Sequence, residues 1–306
     1  MTIFLTEPPK QERNKIIMDY LYLGLAIITS AMLSIMSSLF GKKNEGIENI
    51  SPLYSLIAVI SACVCWGFFA IFNPAFKFAI LGYSLLYGIF YSIAMIGMFL
   101  AYKNGSTPLT AFVKQLSFIC VAVWGFIFWK NPITATITIG LILVIAALIL
   151  CFAKNKSGEK STVNFKWVIF AAMLLVGNSG CSIIQKYQQL RFDGKYRDTF
   201  MFFALVTSVI LSVFIYMRKN RCKFKTVKTA YYTFPILAGV SSAMVNLFIM
   251  LLMRSSLSES IVFPAIAVGG LGLTLLFSAV YYREKLTPRQ WCGLLVGTVA
   301  LVFLNL

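Results

Sequence analysis

The chain has 306 residues, 59% hydrophobic and 12% charged, with 27 Lys and Arg against 10 Asp and Glu, and a mean hydropathy of +0.83. Ordinary soluble domains carry roughly a quarter charged residues, so this composition excludes a soluble globular enzyme. The formal net charge of +17 suits contact with anionic lipid headgroups and, on so hydrophobic a chain, does not point to nucleic acid.

Apolar runs of about 20 residues, the length that crosses a bilayer core as a helix, fill most of the chain. In chain order they fall near residues 20–40, 51–71, 77–101, 108–129, 133–153, 165–186, 199–217, 229–253, 260–282 and 288–306. The expected fold is an all-α polytopic membrane protein with ten transmembrane helices. The polar segment 1–19 contains Glu7-Pro8-Pro9 and lacks the pattern of a signal peptide, so the first span is expected to stay in the mature protein. Asn73-Pro74, Asn104-Gly105-Ser106-Thr107-Pro108 and Lys130-Asn131-Pro132 supply turn signals between spans. The polar links Lys154 to Lys166 and Gln185 to Asp198 are too short to fold alone, and the basic run Arg218 to Lys228 reads as a juxtamembrane segment at anionic lipid.

Sliding the chain by 153 residues, half its length, brings Lys130-Asn131-Pro132-Ile133-Thr134 onto Arg283-Glu284-Lys285-Leu286-Thr287, and superposes Gly140 on Gly293, Leu141 on Leu294 and Ala147 on Ala300. Ten spans divide as five plus five. Because five is odd, two such halves, 20–153 and 165–306 joined by a linker at 154–164, must be inverted repeats. Inverted repeats create a pseudo-two-fold axis in the membrane plane, with a midplane site between halves that can rock to expose either side.

The segment Leu257-Ser258-Glu259-Ser260-Ile261-Val262-Phe263-Pro264, followed by Tyr282-Arg283-Glu284-Lys285-Leu286-Thr287-Pro288-Arg289-Gln290-Trp291-Cys292-Gly293 and a last helix of small residues, resembles the closing part of EamA-type proteins of the drug/metabolite transporter superfamily. With the ten-span count the likeness covers nearly the whole chain. It implies a secondary carrier of metabolites, amino acids or drugs, export as the direction, and both termini in the cytoplasm. The family's Glu before the last helix matches Glu284, whereas the first half has Asn131 in the corresponding place. Charge disagrees with the implied orientation: with the N-terminus inside, the cytoplasmic segments hold ten Lys and Arg and the other side sixteen, against the positive-inside rule. A ten-helix carrier of this kind is expected in a cell membrane, such as a bacterial inner membrane. A homodimer stays open.

Of the 27 Lys and Arg, one falls well inside a span: Lys114, about six residues into the fourth, followed by Gln115. A cation at this depth costs roughly 2.5–3.5 kcal/mol at a span's centre unless it faces a cavity or a partner, and so marks a candidate site. Snorkelling to the helix end, about 9 Å away, is the competing explanation. No Asp or Glu holds a mid-span position, so an acidic proton relay has no obvious carrier. Lys114 and Gln115 are the expected contacts for a substrate's carboxylate or phosphate, a point charge on a flexible stem being suited to that task. Tyr83, Tyr87 and Tyr91 stand at i, i+4 spacing on one face of the third span. They are candidates for hydroxyl contacts or for a quaternary ammonium group over the rings, against the alternative of packing. Trp66 and Phe263 are candidates for the same wall.

Polar stretches recur in the first span (Ser30, Ser34, Ser37, Ser38) and the sixth (Asn178, Ser179, Ser182, Gln185, Lys186), and Asn246 sits amid the eighth. Ligand contact and helix-to-helix hydrogen bonding are both open for these, with Asn178 and Asn246 retained as substrate-binding candidates. Pro264 with Gly269, Gly270 and Gly272 fits a kinked or broken ninth helix, or close packing at Gly272. Glu284, between Arg283 and Lys285, reads as a helix-end ion pair. Histidine is absent and Cys63, Cys65, Cys120, Cys151 and Cys181 lie in apolar runs without ligand spacing, so no cofactor, metal or catalysis is expected. The run Val268-Gly269-Gly270-Leu271-Gly272 lacks the Gly-Lys-Ser/Thr ending of a phosphate loop. The expected partners are a small-molecule substrate and the lipid bilayer. Two alternatives to metabolite export stay open: uptake of an organic cation such as a quaternary amine, and a non-transporting receptor or scaffold.

Overall fold

A computed structural model describes residues 10–44, 50–129, 135–152, 164–220, 232–252, 259–283 and 288–303. Among these the backbone forms α1 (Lys10–Lys43), α2 (Ser51–Phe72), α3 (Ile80–Asn104), α4 (Thr107–Phe128), α5 (Ala135–Phe152), α6 (Phe165–Phe192), α7 (Arg197–Asn220), α8 (Thr233–Leu252), α9 (Glu259–Phe277), a π-helical turn (Ser278–Tyr282) and α10 (Pro288–Phe303). Seven stretches of the described residues are long and apolar enough to cross a membrane: Ile16–Lys43, Ser51–Phe72, Ile80–Asn104, Phe165–Phe192, Arg197–Arg218, Thr233–Leu252 and Ala265–Tyr282. Shorter apolar stretches, Thr138–Ala147 and Trp291–Ala300, lie in α5 and α10. Bulky apolar side chains cover the outside, among them Phe68, Ile71, Phe72, Ile210, Phe214 and Val280. Water would penalise such a surface and hydrocarbon does not, so this is the architecture of a multi-pass helical membrane protein.

Helix ends follow local chemistry. Pro at the first turns of α2 and α4 lacks the N–H that a helix start cannot satisfy. Asn164 caps α6 by accepting from the Lys166 amide at 3.4 Å. That helix runs to Phe192, beyond the 186 expected, and ends where Asp193 (φ 51°) and Gly194 (φ 70°) turn left-handed and the Gly194 amide donates to the Gln189 carbonyl at 3.1 Å. At the other extreme α1 begins at Lys10, inside the stretch read as a polar N-terminal segment. The helix there carries charged residues ahead of its apolar run from Ile16. Asn131, Glu284, linker residues 154–163 and basic residues 221–228 lie outside the described residues, as do the side chains of Phe263 and Pro264.

The helices pair in a regular pattern. α3 packs along α6, and α8 along α1; α3 also lies on α7, and α8 on α2; α4 lies on α6, and α9 on α1. α2 packs against α7, and α5 against α10. Small residues set the closest of these seams. A Cβ added to Gly97 of α3 would sit 2.6 Å from the Leu174 amide nitrogen of α6, and one added to Gly177 of α6 would sit 2.5 Å from that of Ala94 on α3. Gly88 of α3 likewise leaves no room for a Cβ against the Ala204 carbonyl of α7, and Gly239 of α8 leaves none against the Ala58 carbonyl of α2. Backbones that approach this closely gain dispersion contacts, the main attraction between helices in lipid.

Candidate functional site

Lys114 lies seven residues into α4, deep in the bundle, yet keeps part of its side chain open. Its Nζ donates to the Ser30 carbonyl at 3.4 Å and to Ser34 Oγ at 3.3 Å, both on α1. No carboxylate among the described residues pairs with it. Ser38 of α1 meets Thr107, the first residue of α4, at 2.9 Å. Ser34 and Ser30 lie one and two turns further into the bundle, so the ammonium group points inward to α1 instead of snorkelling to the end of its own helix. Gln115 is buried beside Gly270 of α9, whose missing side chain also leaves space in front of Ser30 Oγ. Three helices therefore converge: α4 brings a cation and an amide, α1 brings two serines, and α9 brings a bare glycine.

Further bonds set the depth of the neighbouring elements. Ser117 Oγ donates to the Lys114 carbonyl at 2.8 Å, and Ser179 Oγ of α6 donates to the Ser117 carbonyl at 3.1 Å. Two residues on, the Cys181 thiol of α6 reaches the Tyr87 carbonyl of α3 at 3.9 Å. Lys114 and the tyrosine face of α3 thus lie within about two helical turns of one another along the bundle, or ~11 Å.

The three tyrosines have different immediate neighbours. Tyr83 is half-buried and meets Phe192 edge-on at 5.9 Å, toward the end of α6. Tyr87 and Tyr91 are buried and stacked on each other with centroids 6.0 Å apart, and Phe200 of α7 closes edge-on over Tyr87 at 5.4 Å. The Tyr91 hydroxyl bonds Ser242 Oγ of α8 at 2.8 Å. Asn246, one turn further along α8, donates to the Ser242 carbonyl at 2.8 Å. Ser242 therefore brings Tyr91 and Asn246 to one place, a link that one sequence cannot show because its hydroxyl partner lies 151 positions away. Asn178 is half-buried on α6, beside Ser179, and its side chain bonds none of the described residues. Trp66 is fully buried in the core around Tyr54, Tyr87 and Phe99, apart from the Lys114 cluster. Of the serines in α1, Ser37 bonds the Tyr54 hydroxyl at 2.5 Å and so serves packing. The spacing of Ser30 and Ser34, one turn apart on the face opposite Lys114, was the available signal for their role.

No family model and no curated protein matches the chain. Among solved structures 28 chains match. One of them, a crystal structure of another protein, superposes with a TM-score of 0.57 over 92% of this chain and 95% of its own, at 14% sequence identity. Likeness at that identity shows the fold alone: nearly the whole helical path recurs in a chain solved by experiment.

Proposed function

We propose that the protein is a secondary active transporter of the EamA type, a ten-span carrier that exports small metabolites or amino acids bearing a carboxylate or phosphate. The observation that carries the reading is Lys114: a deep cation with an open flank, held by a carbonyl and a hydroxyl and paired with no described carboxylate. Such a charge is costly in a membrane protein, and an anionic group from outside is the partner that offsets the cost. The packing pattern supports two inverted five-helix repeats, since advancing each helix by five positions turns α3 on α6 into α8 on α1, α3 on α7 into α8 on α2, and α4 on α6 into α9 on α1. The Gly88–Ala204 and Gly239–Ala58 contacts are equivalent under the same operation. Substrate would bind between the halves, at Lys114 and Gln115, with Asn178, Tyr91 and Asn246 nearby. Export as the direction rests on the resemblance of the C-terminal segment.

The test is ligand-dependent thermal stability of the purified protein across amino acids, carboxylates, phosphorylated metabolites and quaternary amines. A ligand at 100 times its Kd stabilises the folded state by about 2.7 kcal/mol. Stabilisation by anions or amino acids, lost in Lys114→Ala, is the expected outcome. Stabilisation by quaternary amines alone, retained in that variant, would replace this reading with an organic-cation carrier using the Tyr87–Tyr91 face.

A further inference from the structure

Two contacts at opposite ends of the bundle join helices from different five-helix sets. At one end Lys42, in the last turn of α1, holds Nζ 3.9 Å from the centroid of the Tyr282 ring, at the close of the π-helical turn after α9. Ser38 Oγ reaches the Tyr282 hydroxyl at 3.2 Å and Thr107 Oγ1 at 2.9 Å, so α1, α4 and the end of α9 meet there. At the other end Lys186 of α6 holds Nζ 4.5 Å from the ring centroid of Trp129, the residue that caps α4. Trp129 stands edge-on to Tyr187 at 5.3 Å, and the Tyr187 hydroxyl accepts from Trp124 Nε1 at 3.3 Å.

The ends are opposite because α4 runs antiparallel to α1. Its first residue meets Ser38 near the C-terminus of α1, and its 22 residues carry Trp129 about 33 Å away. The two contacts also share one plan. Each takes its cation from the first helix of one set (α1 or α6) and its ring from the close of the fourth helix of the other (α9 or α4). A π turn at this position re-aims the side chains that follow it, and such turns concentrate at functional sites. An ammonium group over an aromatic ring is attracted by the ring quadrupole without a directional hydrogen bond, so the contact can part and re-form with little rearrangement of its surroundings.

We propose that Lys42–Tyr282 and Lys186–Trp129 are paired clasps, each closing one entrance to the Lys114 region, and that access to either side comes from opening one while the other holds. This rests on the carrier reading. Its test is independent of any substrate. In a background with the seven native cysteines replaced, Lys114→Cys reports access to a membrane-impermeant maleimide applied to right-side-out and to inverted vesicles. Lys42→Gln is expected to raise the labelling rate about fivefold from one face only, and Lys186→Gln from the opposite face only, in keeping with the loss of one cation–π contact. Tyr282→Leu and Trp129→Leu should reproduce the two effects, and Lys42→Arg and Lys186→Arg should retain the parental rate. Equal gains from both faces, gains from one face for both variants, or no change in either would overturn the clasps. Side-specific gains with no stabilising ligand in the panel would instead overturn the anion-carrier reading and leave the clasps standing.

Discussion

Tyr91 of α3 and Ser242 of α8 join hydroxyls at 2.8 Å across a separation of 151 residues. Gly88 and Gly239 stand at that same separation, one turn earlier on the same two helices, and each meets the carbonyl of an alanine on its neighbour, Ala204 or Ala58. Tyr91 and Ser242 thus each stand one turn beyond a glycine seated on a neighbouring helix, so the loss of either hydroxyl should be felt by both helices.

Tyr91→Phe should cost about 0.5–1.5 kcal/mol, the net worth of one hydrogen bond, and Ser242→Ala a similar amount. The double variant should cost little more than either single one. Thermal melts of the four proteins in detergent, analysed as a double-mutant cycle, give the coupling. Additive losses would mean that the two hydroxyls do not act on each other.

Gly177→Ala should destabilise by about 1–3 kcal/mol, because the added methyl meets backbone of α3 that cannot move aside. Gly24→Ala in α1 is the matched control. Nothing lies within 4 Å of its added Cβ, and the gain in helix propensity should raise stability by up to ~1 kcal/mol. The melting temperatures should therefore move in opposite directions.

Lys114→Met should stabilise the ligand-free protein by about 1–3 kcal/mol while abolishing stabilisation by anions. The substitution removes a desolvated charge of the kind that costs roughly 2.5–3.5 kcal/mol in a span, and stability gained at a binding residue is commonly matched by lost function. A variant less stable than the parent without ligand would show that the ammonium group holds α4 to α1 for structural reasons.

Asp193→Gly should stabilise by about 0.5–1 kcal/mol. Asp193 holds φ 51° at the C-terminal cap of α6, a conformation that costs an L residue energy and costs glycine none. Chemical denaturation or a melt in the same detergent reads the difference, and Asp193→Val should move it the other way.

The helical course was largely legible, since an apolar run of membrane length bounded by Asn-Pro or Ser-Pro leaves the backbone few options. The stretches expected at 51–71 and 108–129 are helical over Ser51–Phe72 and Thr107–Phe128, within a residue or two, and the first is among the seven stretches of membrane length. The misses have physical causes. Gln185, Lys186, Gln188, Gln189 and Arg191 are polar and good helix formers, so α6 continues where hydropathy falls. The π turn at Ser278–Tyr282 has no composition of its own. Lys114 stood out as a charge among apolar residues, but its bonds to Ser30 and Ser34 cross 84 and 80 residues and depend on how helices pack. Periodicity likewise placed Tyr83, Tyr87 and Tyr91 on one face without saying that Phe192 takes the first, Phe200 the second and Ser242 the third.

The seams between α3 and α7 and between α2 and α8 have a mechanical consequence. Where Gly88 rests on the Ala204 carbonyl and Gly239 on that of Ala58, helix meets helix on nearly bare main chain. Large interlocked side chains would act as gear teeth, to be lifted out of their sockets one rotamer at a time before either surface could slip. At Gly88 and Gly239 those teeth are missing, so each seam has one smooth bearing point, which on the α3–α7 side lies beside interlocked side chains such as Tyr87 against Phe200.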